Sequence, residues 1–162
     1  MHVYNVHIHI MRTEEQLMLI IKHTVETTAS PEEIWDVWQD VSNWNTWDHG
    51  IEFSTINGPF REGTTGTLKP KGGPLVHTTL TAVEPMKMFI DESKLPFTRI
   101  IVSHFMNRSN GKTQVTHQIE MNGPLAFVFA FLIGRTMKKN LPQEMRAMIE
   151  KAEKRTNMKN LS

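Results

Sequence analysis

The chain contains no cysteine. That absence excludes a disulfide scaffold, a thiol nucleophile, a zinc–thiolate site and an iron–sulfur cluster together, and it fits a reducing, cytoplasmic setting. Net charge is nearly absent as well: 18 cations against 17 anions leave +1. A dedicated nucleic-acid binder needs a basic excess to neutralise phosphates, so no nucleic-acid partner is expected. Long hydrophobic runs are missing too. The longest, Leu125 to Ile133, is about half of the ~20 residues a membrane span requires, and no signal-peptide pattern opens the chain, so the protein is expected to be soluble, without a transmembrane segment. There is no Gly-x-Ser-x-Gly, no phosphate-binding Walker loop, no Gly-x-Gly-x-x-Gly and no His-Glu-x-x-His. Hydrolase, NTPase, dehydrogenase and zincin readings lose their support, and neither a metal nor a cofactor is expected. What remains is 162 residues, 39% hydrophobic and 22% charged, the size and balance of one folded domain.

Residues 1–17 read as an N-terminal extension. Val6 to Ile10 alternates like a strand, and His7 and His9 on one side of it could chelate a metal, but a frayed terminus is the simpler expectation. The domain proper is expected over 18–156, with 157–162 as a tail. From Leu19 a β-branched run, Ile20, Ile21, Val25 and Thr27, predicts a strand. Ser30-Pro31-Glu32-Glu33 is a capping box with proline at the first helical position, so a short helix follows, burying Ile34, Trp35, Val37 and Trp38. A second short helical segment is predicted over residues 43–48. Between Ile51 and Gly123, turn signals recur too often for a helix, and the intervening runs predict six strands in an antiparallel meander. From Leu125 to about Arg155 the pattern is helical, with Pro142 as a kink or break.

Strand, two short helices, six strands and one long helix make an α+β helix-grip arrangement: a curved seven-stranded antiparallel sheet gripping a C-terminal helix, with a hydrophobic cavity between them. The residues also resemble a known family. Val25-Glu26-Thr27-Thr28-Ala29-Ser30-Pro31-Glu32-Glu33-Ile34-Trp35, then Trp44-Asn45-Thr46-Trp47-Asp48, Gly63-Thr64-Thr65-Gly66-Thr67, Val83-Glu84-Pro85, Gly111-Lys112-Thr113-Gln114-Val115 and Gly123-Pro124-Leu125 are similar, in order, to landmarks of the START-like SRPBCC superfamily, in its polyketide cyclase/dehydrase and lipid-transport branch. The resemblance implies the helix-grip fold and an apolar ligand pocket. It implies little about chemistry, since such folds serve binders, carriers and some enzymes.

Asn110-Gly111 is the preferred centre of a two-residue hairpin and fixes the register of the last two strands, in which paired residue numbers sum to 221. His104 then lies opposite His117 on the apolar face, and His23 shares the inward parity of Ile21 and Val25. Ligand hydrogen bonding, general-base catalysis by His104 or His117, metal ligation and a purely structural pair all remain open at this point. Two adjacent imidazoles cannot both ionise cheaply, so at least one is expected to be neutral near pH 7. Asp48, Asp91, Glu92 and Glu120 are expected at the solvated surface. The four tryptophans, all within residues 35–47, are expected to be a packing wedge.

The leading expectation is a binder of a small hydrophobic molecule, polyketide-like or lipid. Its ligand site would comprise His23, Val102, His104, Met106, His117, Ile119, Met121, Phe129, Met137, Leu141 and Met145. A cyclase or dehydratase using a pocket histidine as general base is the alternative. Phe127 and Phe131 fall on the helix face away from the sheet, so a cavity rim, a dimer contact or peripheral membrane contact is the third expectation, with the chain a monomer or homodimer.

Overall fold

The computed structural model describes residues 7–13 and 16–159. Its strands are β1 (His7–Thr13), β2 (Gln16–Thr27), β3 (Ile51–Ile56), β4 (Thr65–Pro70), β5 (Val76–Glu84), β6 (Met88–Leu95), β7 (Thr98–Ser109) and β8 (Lys112–Asn122). They form one antiparallel sheet in the order β1-β2-β8-β7-β6-β5-β4-β3. Strands β2 to β8 are the seven expected strands. The segment expected to fray instead adds an edge strand: β1 pairs with β2 from His7↔Lys22 to Thr13↔Gln16. The side chains of His7 and His9, and any chelation by them, lie outside the described residues.

Helix α1 (Pro31–Trp38) starts as its sequence dictates. The Ser30 hydroxyl accepts from the Glu33 amide at 3.3 Å, and the Glu33 carboxylate accepts from the Ser30 amide at 2.8 Å. These two bonds satisfy amides that the first helical turn would otherwise leave unpaired. A 3-10 helix (Val41–Thr46) follows, and the two short elements, with Trp47 just after the second, carry all four tryptophans into the core. Their rings meet edge-on or tilted: Trp35 and Trp38 at 6.2 Å, Trp44 and Trp47 at 6.3 Å. The Trp44 indole donates to the Trp38 carbonyl at 2.9 Å. This is the packing wedge that thirteen residues with four indoles imply.

The C-terminal helical segment is built from α2 (Ala126–Phe129), a π-helical stretch (Ala130–Gly134) and α3 (Arg135–Lys159). Pro142 does not break the helix in two, since it lies inside α3. The irregularity comes earlier, where one wide turn shifts the register between the apolar start and the amphipathic remainder. The inner side of α3, Leu141, Met145, Met148, Ile149 and Ala152, is buried. It closes over the sheet residues Ile21, Val115, Ile119 and Met121 in a single core.

Candidate functional site

The β7–β8 hairpin turns at Asn110 and Gly111, whose φ values of +51° and +75° are those of the tight turn that the Asn-Gly pair favours. The register follows: Met106↔Val115, His104↔His117, Val102↔Ile119 and Ile100↔Met121. On the other side of β8, His117 pairs with His23 of β2, and on the other side of β7, His104 pairs with Phe89 of β6. His23, His117, His104 and Phe89 therefore stand in one row across four neighbouring strands, facing the helix.

The row is tightly packed. His104 stacks on Phe89 with centroids 3.9 Å apart and planes 8° from parallel, and the edge of Trp38 meets it at 5.7 Å. The His117 ring lies 4.1 Å from His104, tilted by 51°. His23 is 1% exposed and His104 5%. Neither ring nitrogen of His23, nor Nδ1 of His104, has a hydrogen-bond partner in the protein. Burial therefore disfavours the imidazolium throughout: His117 is pushed down to about 4, with the neighbouring His23 adding to the effect. His104 is held well below the ordinary imidazole value by burial and by His117, against a hydrogen bond with the Phe89 backbone. His23 is lowered by burial and by Arg146. All three rings are neutral at pH 7.

A carboxyl group joins the row. Asp91 shares the parity of Phe89 on β6, and its Oδ2 lies 4.0 Å from His104 Nδ1, while Thr78 Oγ1 donates to its Oδ1 at 3.2 Å. Burial raises Asp91 to about 7. This corrects the expectation of a solvated Asp91. Strand β6 continues to Leu95 and buries its Phe89 face, and the Phe89–Asp91 spacing was the available signal. Asp48 is likewise not a free surface group. Burial raises its carboxyl, which accepts from the Gly50 amide at 2.8 Å, and the adjacent Glu144 of α3 is raised to about 8 by burial and by Asp48.

The expected ligand-site residues separate into two groups. His104, His117 and Met145 surround a small void together with Trp38, Trp47, Val115, Thr116 and Met148. Met106, Ile119, Met121 and Leu141 are buried in the core, and Val102, Phe129 and Met137 are half-buried against it. His23 adjoins the void through its pairing with His117. The void measures about 10 Å³, roughly the least that holds one water molecule. Between the histidines and the methionines of α3, the space is thus far smaller than the open hollow expected. The four tryptophans and the methionines occupy the space, which the helix length alone could not reveal. Among the described residues, no group of three or more His, Asp or Glu side chains is placed to hold a metal ion.

No curated protein matches the sequence itself. Solved structures match the fold. An aromatase/cyclase, Zhui, from Streptomyces sp. R1128 superposes with a TM-score of 0.70 at 14% identity, over 86% of this chain and 96% of that one. Norcoclaurine synthase from Thalictrum flavum, in complex with dopamine and hydroxybenzaldehyde, gives 0.65 at 14% identity over 90% of each chain. Ara h 8.0201 gives 0.65 at 10% identity, over 85% and 99%. At these identities the likeness establishes the helix-grip fold alone. The sequence model of one family, described as polyketide cyclase / dehydrase and lipid transport, matches residues 18–155. The match spans both the histidine row and the helix that covers it, and the chain belongs to that family.

Proposed function

We propose that the protein binds a small, largely apolar molecule bearing a hydroxyl or carbonyl group, seated between the sheet and α3 against His104 and His117. One observation carries this reading: Nδ1 of His104 and both ring nitrogens of His23, beside His117 in the same row, are buried in an otherwise apolar interior without protein partners. Each unpaired buried polar atom costs about 1–3 kcal/mol, and a ligand hydroxyl or carbonyl removes that cost. Neutral rings suit a neutral polar group, because each offers one donor and one acceptor. Space comes from Met145 and Met148, which border the void and whose unbranched side chains repack readily. The family's association with polyketide and lipid chemistry agrees with an apolar ligand.

Trp38 and Trp47 border the same void, so their fluorescence reports occupancy. Titration with 2-naphthol is expected to quench it saturably. His104→Leu or His117→Leu should weaken binding about tenfold, the equivalent of one hydrogen bond at about 1.4 kcal/mol. Met145→Trp, which fills the void, should abolish it. Quenching that ignores all three substitutions would place the ligand elsewhere and overturn the reading.

A second reading rests on Asp91, 4.0 Å from His104. A neutral imidazole beside a carboxyl group can accept an α-proton from a ketone, the first step of an aldol cyclisation. Cyclisation of 2,6-heptanedione that collapses in His104→Gln, with naphthol binding kept, supports an enzyme. No turnover above buffer by the unaltered protein leaves a binder.

A further inference from the structure

The start of the C-terminal helical segment has two faces. Ala126 is buried and Phe129 packs against the core, whereas Phe127, Phe131 and Leu132 are 55%, 72% and 63% exposed. Phe97, at the tip of the β6–β7 hairpin, is 76% exposed. The hairpin tip and the helix start are locked together: the Leu125 amide lies 3.5 Å from the Phe97 carbonyl, and a Cβ on Gly123 would meet that same oxygen at 2.4 Å. Phe97 and the three helical residues therefore belong to one protruding rim at one end of the sheet. Leaving three phenylalanines and a leucine largely in water forgoes more than half of the roughly 1.5–3 kcal/mol that full burial of each would contribute.

Charge identifies the occupant. From Met121 to Gln143 the chain has no acid, but it carries Arg135, Lys138 and Lys139, all exposed. The Arg135 guanidinium sits 5.9 Å above the Phe131 ring. Lys94 borders the hairpin side of the rim with Arg99, which is paired with Glu92 at 3.7 Å, and a groove of about 310 Å³ runs there between Phe97 and Pro124. A second copy of the chain docked through this rim would set cations against cations. Aromatic side chains backed by a cationic shelf match the interface of an anionic bilayer, where rings sit at headgroup depth and each basic residue contributes about 1 kcal/mol.

We propose that the rim formed by Phe97, Phe127, Phe131 and Leu132, with Arg135, Lys138 and Lys139 behind it, docks on an anionic phospholipid surface. The surface acts whether or not the interior binds a ligand. The test is co-sedimentation of the full chain with sucrose-loaded vesicles of phosphatidylcholine, with or without about 30 mol% phosphatidylglycerol. Binding is expected to the anionic vesicles only, and to fall steeply in about 0.5 M salt, where screening is nearly complete. Phe127→Ser/Phe131→Ser should lower it at least about tenfold, with folding checked by circular dichroism. Phe97→Ser, on a different element, should weaken it independently. Lys138→Glu/Lys139→Glu should abolish the dependence on phosphatidylglycerol. His104→Gln should sediment like the unaltered protein, which separates this outcome from that of the interior site. Absence of sedimentation with anionic vesicles, equal sedimentation with both compositions, or a dimer in analytical ultracentrifugation that Phe127→Ser/Phe131→Ser dissolves would each overturn the proposal.

Discussion

Asp91 and His117 are displaced in opposite senses by the same cause, burial, and so they set opposite pH trends. His117 titrates near 6.5 when unfolded and near 4 when folded. Between those values the unfolded chain takes up a proton that the native ring refuses, so stability falls as pH drops from 6.5 toward 4. Asp91, raised to about 7, does the reverse. Above pH 4 the unfolded carboxyl has already lost its proton while the folded one keeps it, so stability is lost as pH rises through 7. The two trends oppose each other between about pH 4 and 7, so urea denaturation should show His117→Gln removing a rise of stability with pH of up to about 3 kcal/mol and Asp91→Asn removing a fall of up to about 4 kcal/mol, at about 1.4 kcal/mol per pKa unit. Parallel profiles for a variant and the unaltered protein would show that the group in question is not buried as described. Of this chemistry, the His104–His117 pair was legible, because an Asn-Gly turn fixes its register without reference to the rest of the fold. Asp91 was less so although it shares the parity of Phe89 on β6, since a carboxyl group near a turn is ordinarily solvated and only the pairing of β6 with β7, Phe89↔His104 and Asp91↔Val102, turns it inward beside His104.

Elements with local chemical signals emerged as read. The capping box at Ser30 starts α1, and the glycine- and proline-rich punctuation separates β3 to β8. Elements decided by tertiary contact did not. Pro142 passes within α3, while the π-helical stretch at Ala130–Gly134 has no motif of its own. It arises where an all-apolar start must join an amphipathic helix that packs on the sheet. That start is anchored at Gly123, whose φ is +131° and whose added Cβ would fall 2.4 Å from the Phe97 carbonyl oxygen. Gly123→Ala is therefore expected to cost about 2–3 kcal/mol through strained backbone and steric conflict together. It should also detach the hairpin tip from the helix start. Hydrogen exchange should show the Leu125 and Ala126 amides losing protection before those of α3. Unchanged protection there would mean that the close approach does not hold the helix start.

At the scale of the molecule, the family's architecture was readable because its landmarks recur in order along the chain, whereas the volume left inside was not. Cavity size is a small difference between the space the sheet and helix enclose and the side chains that fill it, and four tryptophans with several methionines nearly cancel it. The sheet's outer boundary was equally hidden. With β1 in place, β2 is an interior strand, paired with β8 from Met18↔Asn122 to Thr27↔Thr113 on one side and with β1 on the other. Expressing the chain from Met18 would strip that cover and leave the first part of β2 with a bare row of amide and carbonyl groups, the kind of border that recruits foreign strands. Light scattering at a fixed concentration should then rise faster on warming for the shortened protein than for the whole chain, and equal curves would mean that the hairpin guards nothing. On that view the N-terminal hairpin is a hem, and its service is to keep one molecule's fabric from being stitched to the next.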